Sequence, residues 1–86
     1  MKELDKIQQL MVITAEECGE LTQVTSKILR RAEIDAEWRQ KLIEEAGDIY
    51  CMLDLIVKHT DIDWKELEDR SLVKKKKLEK WSNLIN

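Results

Sequence analysis

Apolar and small side chains recur at Leu4, Ile7, Met11, Thr14, Cys18, Leu21, Thr25 and Ile28, in strictly alternating steps of three and four. That spacing predicts a helix with a heptad seam, running from about residue 3 to Arg31 and about 40 Å long at 1.5 Å per residue. Its end falls in the polar stretch Arg30-Arg31-Ala32-Glu33. Asp35 fits the N-cap of a second helix, with Glu37 in its first turn and a wide apolar stripe at Leu42, Ile43, Ala46, Ile49, Tyr50, Leu53, Ile56 and Val57. This helix is expected to end near His59. A third start signal follows: Asp63 as N-cap, Glu66 three residues on as its capping-box partner, and Ile62 with Leu67 spaced as a hydrophobic staple. The third helix then runs almost to the end of the chain, with Trp64, Leu67, Ser71, Leu78, Trp81 and Ile85 on one side.

The first helix carries a second apolar line beside its seam. Ile13 and Val24 lie roughly 100° from it and share their surface with Glu17 and Glu20, because 13, 17, 20 and 24 are again four and three steps apart. Two faces to bury are more than one short chain can cover. The pattern therefore predicts an all-α fold: an antiparallel bundle of three main helices, in one domain spanning residues 1–86, whose four-helix core is completed in a homo-oligomer, a dimer or a dimer of dimers.

Composition narrows the picture. With 86 residues there is room for a single domain, and two glycines with no proline suit long helices rather than a turn-rich β fold. No stretch approaches eighteen uncharged apolar residues, and the first residues lack the layout of a secretory signal, so a soluble cytoplasmic protein without a membrane partner is expected. Cys18 and Cys51 have neither a second pair nor nearby histidines, which fits reduced core thiols rather than a disulfide framework or a zinc site. The net charge of -3 argues against a binder of nucleic acid polymers. Its acidity is local: without Glu16, Glu17, Glu20, Glu44, Glu45 and Asp48, the balance becomes 15 basic against 12 acidic residues.

Those six acids form an internal repeat. Glu16-Glu17-Cys18-Gly19-Glu20 and Glu44-Glu45-Ala46-Gly47-Asp48 share one pattern, acid-acid-small-Gly-acid, once in each of the first two helices, and hold both glycines of the chain. A glycine inside a helix costs ~1 kcal/mol relative to alanine, so its repetition suggests that something comes close to the backbone there. A solvated charged face beside close helix packing is the plainer reading of one cluster, and the repeat weakens it. Glu17 and Glu20, facing Glu45 and Asp48 across an antiparallel pair, would bring four partly desolvated carboxylates together, an arrangement that a bound cation relieves. Oxygen-only ligands select magnesium or manganese. A di-iron site would need Glu-x-x-His pairs, and the single histidine, His59, is more than two turns beyond Asp48. Carboxylate-held magnesium leaves positions for water and substrate phosphates, which points to metal-assisted hydrolysis of a phosphoanhydride.

At these residues the chain resembles the MazG-like superfamily of all-α nucleoside triphosphate pyrophosphohydrolases, which includes dimeric dUTPases and phosphoribosyl-ATP pyrophosphohydrolases. The family pattern, Glu-Glu-x-x-Glu followed by Glu-x-x-Asp, reads here as Glu16-Glu17-Cys18-Gly19-Glu20 and Glu45-Ala46-Gly47-Asp48, separated by 24 residues. The resemblance covers about residues 8 to 80, and nothing beyond the acid motifs points to the phosphoribosyl-ATP branch. It implies magnesium-dependent hydrolysis of a nucleoside triphosphate to the monophosphate and pyrophosphate. Glu17, Glu20, Glu45 and Asp48 then match the metal ligands, and Glu16 matches a residue that orients or deprotonates the attacking water.

Phosphates need cations. Lys27, two turns beyond Glu20 on nearly the same face, Arg30 and Arg31 are candidates on the first helix, and Lys74 and Lys77 on the third. Four consecutive lysines, 74–77, wrap around a helix, so only one or two of them can point into a site, and a solvated face accounts for the rest. Family members stack the base on aromatic side chains. Of Trp38, Tyr50, Trp64 and Trp81, Trp38 lies off the main apolar stripe and is the least core-like. The competing function from another class is a non-catalytic helical oligomerisation or regulatory module whose acid clusters are surface charge.

Overall fold

A computed structural model describes residues 4–31 and 33–85 of the chain. It is all-α, as the pattern predicts, with three helices in the order α1 (Lys6–Arg31), α2 (Ala36–His59) and α3 (Trp64–Trp81) and no strand among the described residues. Residues 1–3, where α1 was expected to begin, lie outside the described residues; the helix starts at Lys6 because Asp5 caps it. The Gln8 amide donates to Asp5 Oδ1 at 2.8 Å and the Asp5 amide to Gln8 Oε1 at 3.0 Å, a reciprocal capping pair. The other two caps fall where the sequence puts them. Asp35 accepts from the Trp38 amide, and Asp63 and Glu66 form a complete capping box.

A four-residue connection turns α1 back along α2, and these two helices form the packed pair of the molecule. Positions 17 with 48, 20 with 45 and 27 with 38 share one constant sum, as residues facing each other across an antiparallel pair must. Along this inward line the four buried side chains fall in two groups. Leu10 and Met52 close the open end of the hairpin, and Val24 and Trp38 close the end beside the turn. The acid repeat sits between them.

The line bearing Ile13, Glu17, Glu20 and Val24 meets α2, as the facing acids require, whereas the heptad seam alternates between half-buried and exposed positions, with Ile7 at 43% and Met11 at 45% exposure. The physical reason is that turning the seam inward would strip the apolar anchors Leu10 and Val24 from α2. Cys18 and Cys51 are free, as expected, but exposed rather than in a core, because both point away from the inward line. Trp38, expected to be the least core-like aromatic, is 7% exposed, while Tyr50 and Trp81 are in solvent. Nothing lies within 4 Å of a Cβ built on Gly19 or Gly47, so within the chain no group makes the close approach their repetition suggested.

The seam of α1 and the stripe of α2 are displaced in the same rotational sense from their inward lines, by roughly a quarter to a third of a turn at 100° per residue. In antiparallel helices that sense brings both to one side of the hairpin, where they make a continuous apolar face. Part of it receives α3, whose Trp64 ring stacks on Tyr50 at 5.8 Å between centroids, with Leu53, Trp64 and Leu67 lining a shared cleft. No residue of α3 is buried. The chain is accordingly open: its Cα radius of gyration is 15.5 Å, against roughly 12 Å for a compact domain of this length. Its accessible surface is 7137 Å² for 10.2 kDa, against roughly 5300 Å² from size scaling.

Since both glycines face open space, Gly19→Ala and Gly47→Ala are each expected to stabilise the fold by about 0.5–1 kcal/mol, raising the thermal midpoint by a few degrees. A fall in the midpoint would mean that another group occupies that space.

Candidate metal centre

The two halves of the acid repeat meet because each lies on the inward line of its helix, midway between the apolar ends. Glu17 and Glu20 of α1 and Glu45 and Asp48 of α2 each offer a carboxylate oxygen, and these oxygens lie within 4.8 Å of one another. Glu17 and Glu45 are half-buried; Glu20 and Asp48 open to solvent. The deep pair thus forms a floor and the outer pair a rim.

Ionised carboxylates are acceptors only, so four of them together have no donor to share. Glu17 Oε2 and Glu45 Oε2 show the consequence: both are shielded from solvent and neither has a hydrogen-bond partner. None of the ion pairs among the described residues involves the four acids. Burial pushes the Glu17 carboxyl above the ordinary carboxylate range, and the neighbouring charges of Glu20 and Asp48 push it further. Glu45 is raised by burial too, then by the close approach of the Glu20 carboxylate and by the charges of Glu20, Asp48 and Glu17. Two orphaned, desolvated oxygens facing two accessible ones fit a hard divalent cation: the all-oxygen donor set suits magnesium or manganese, and the open rim leaves coordination positions for water or phosphate.

Glu16 and Glu44 stand outside the converged set and are exposed. Glu16 is four residues before Glu20 and so borders the rim. Lys27 lies two turns from Glu20 along α1, its ammonium 5.6 Å from the centre of the Trp38 ring. Of the two candidate arginines, Arg31 reaches the same ring, at 5.5 Å, and Arg30 is exposed. Lys41 is a third cation there, at 4.5 Å. Lys27 and Arg31 are candidates by sequence; Lys41 was not singled out, although its three-residue spacing from Trp38 is that of helical neighbours. Lys74 lines the cleft between α2 and α3 with Leu53 and Trp64, and Lys77 lies beside Val73 and Trp81 on α3; neither approaches an acid of the cluster within ion-pair distance. No helix among the described residues is long and apolar enough to cross a membrane. Compared with protein-family models, curated proteins and solved structures, the chain matches none.

The raised carboxyls link stability to pH in a definite direction. Glu17 and Glu45 bind protons more tightly folded than unfolded, so their stabilising effect is present at low pH and is lost as pH rises through their raised folded values. In chelator-treated protein the Glu17 and Glu45 contribution should favour the fold at pH 5 relative to pH 7. Glu17→Gln should raise the thermal midpoint at pH 7 and flatten its pH dependence. A variant that leaves the pH profile unchanged would contradict the desolvated cluster.

Proposed function

We propose that the protein is a magnesium-dependent nucleoside triphosphate pyrophosphohydrolase that converts a (d)NTP and water into the (d)NMP and pyrophosphate, in the cytoplasm, as part of nucleotide-pool control or house-cleaning. The supporting observation is the convergence of Glu17, Glu20, Glu45 and Asp48 with two orphaned carboxylate oxygens at its floor. The resemblance of the same residues to the MazG-like acid motifs points the same way.

In this reading the four carboxylates hold magnesium, which supplies charge neutralisation for the polyphosphate and lowers the pKa of water bound beside it. The chain's own residues do the rest. Glu17 and Glu45, with no other donor to satisfy them, fix the position of the cation; Glu20 and Asp48 at the rim leave room for the substrate. Glu16, bordering Glu20, accepts the proton of the attacking water. The water oxygen bonds to the α phosphorus, the bond from that phosphorus to the α–β bridging oxygen breaks, and pyrophosphate leaves with the bridging oxygen and its electron pair. Lys27 and Arg30 offset the charge of the phosphates; Lys74 and Lys77, expected as further candidates, lie on α3 beside Trp64 and Trp81 and are not assigned to them. The burial of Trp38 under three cations does not suit base stacking, and it instead supports a role for the indole as a platform for those cations.

A panel of the eight common nucleotides with magnesium, read for pyrophosphate and orthophosphate separately, tests this reading. Pyrophosphate should be released from at least one of them. In ¹⁸O water the label should enter the monophosphate and not pyrophosphate, and Glu17→Gln and Asp48→Asn should each abolish turnover while leaving helical content intact. Label in orthophosphate, or near wild-type rates in either variant, would contradict it. No hydrolysis at all would favour the alternative, a non-catalytic helical oligomerisation or regulatory module, to which the exposure of Glu20 and Asp48 lends some support.

The same proposal includes a homo-oligomer, a dimer or a dimer of dimers. It is supported by the one-sided apolar face and by an excess of roughly 1800 Å² over the accessible surface expected for a compact monomer, enough for each copy's share of an obligate interface. The thermal midpoint should rise with protein concentration, and dilution should remove helical signal and oligomer together. A monodisperse, well-folded monomer in sedimentation equilibrium at micromolar concentration would overturn it.

A further inference from the structure

Three cations converge on one indole at the turn end of the hairpin. Lys27 faces Trp38 across the inward line, Arg31 follows one turn later on α1 and Lys41 one turn later on α2, at 5.6, 5.5 and 4.5 Å from the ring centre. The negative face of the indole explains why one cation settles there, but three of them repel one another. Two have local partners: Arg31 meets Asp35 at 3.1 Å and Lys41 meets Glu37 at 3.6 Å, both exposed pairs of the weak i,i+4 kind. Lys27 takes part in none of the ion pairs among the described residues, so the group keeps an uncompensated positive charge. At the same place Trp38 Nε1, on a side chain 7% exposed, is a buried donor without an acceptor. An anion with several oxygens would compensate the positive charge of the group.

The position of this group relative to the acids gives the anion a direction. From Glu20 to Lys27 and from Glu45 to Trp38 the step is seven residues along each helix, about two turns or ~10 Å. Acid cluster and basic group therefore lie two turns apart on one helix pair, and flexible lysine side chains shorten the gap between them. We propose that Lys27, Arg31 and Lys41, gathered on Trp38, form a pyrophosphate subsite that holds the terminal phosphates of a bound nucleotide and so presents its α phosphorus to the carboxylates. The nucleotide part of this assignment rests on the pyrophosphohydrolase reading; the anion site itself does not. It also separates the roles of the cations: the group at the turn end binds phosphate, and the lysine run of α3 does not.

Calorimetric titration with inorganic pyrophosphate, in chelator and again in magnesium, tests the subsite without turnover. The unaltered protein should bind pyrophosphate in both conditions. The Lys27→Gln/Lys41→Gln double variant should bind about tenfold more weakly or worse, with helical content unchanged. Lys41→Arg should retain binding, and Lys74→Gln/Lys77→Gln should change it less than about twofold, being distant surface charges. Absence of binding to the unaltered protein, equal binding by the Lys27/Lys41 double variant, or an equal loss in the Lys74/Lys77 variant would overturn the subsite. Pyrophosphate binding that follows this pattern in a protein inactive on every nucleotide would leave the subsite standing and remove the hydrolase reading. Hydrolysis with unaltered binding in the Lys27/Lys41 double variant would do the reverse.

Discussion

The constraint on which the structure depends is that the centre of the main packed interface among the described residues, between α1 and α2, is made of like charges. Between Leu10 with Met52 and Val24 with Trp38, the facing lines of α1 and α2 spend two turns on Glu17, Glu20, Glu45 and Asp48. Burial of apolar surface favours pairing of the helices at both ends, and repulsion with desolvation opposes it in the middle. The apolar ends fix the register, and the register brings the acids together. A hairpin that only had to be stable would carry apolar side chains at those four positions, because an unpaired buried charge is among the costliest features a small fold can hold.

The remaining features follow from that allocation. With the inward lines given over to acids, the seam of α1 and much of the stripe of α2 remain on one outer side, and α3 covers only part of it through Trp64 and Leu67. The result is an open molecule with polar groups at its centre and apolar groups on a face, an arrangement suited to assembly around a charged site. At the turn end the sign of the charge reverses: Lys27, Arg31 and Lys41 surround Trp38 two turns from the carboxylates. Opposite charges at a fixed spacing along one helix pair match a ligand that is itself a polyanion carrying a metal.

Much of this was legible in the residues. The caps at Asp35 and Asp63 depend on local chemistry within four residues, and so do the helix ends they define. The convergence of the four acids followed from two spacings of three and the antiparallel return of the chain. What the sequence left open was the place of the heptad seam once the acid line faces α2. The heptad seam is the longer and more regular of the two, yet α2 meets the shorter one, because that line alone carries the anchors Leu10 and Val24 opposite Met52 and Trp38. The same ambiguity misplaced Cys18, Cys51 and Trp38. Lys41 escaped notice because its meeting point, Trp38, is buried only by the packing of the other helix, which periodicity along one helix does not reveal.

The central claim is that these four carboxylates share a divalent cation, and paramagnetic manganese reads that directly. Titrating the protein with manganese and following the free-ion electron paramagnetic resonance signal should show the signal suppressed by binding, restored by excess magnesium, and left unsuppressed in Glu45→Gln, whose lost charge lies at the floor of the site. Undiminished binding by Glu45→Gln, or no binding by the unaltered protein, would contradict the account.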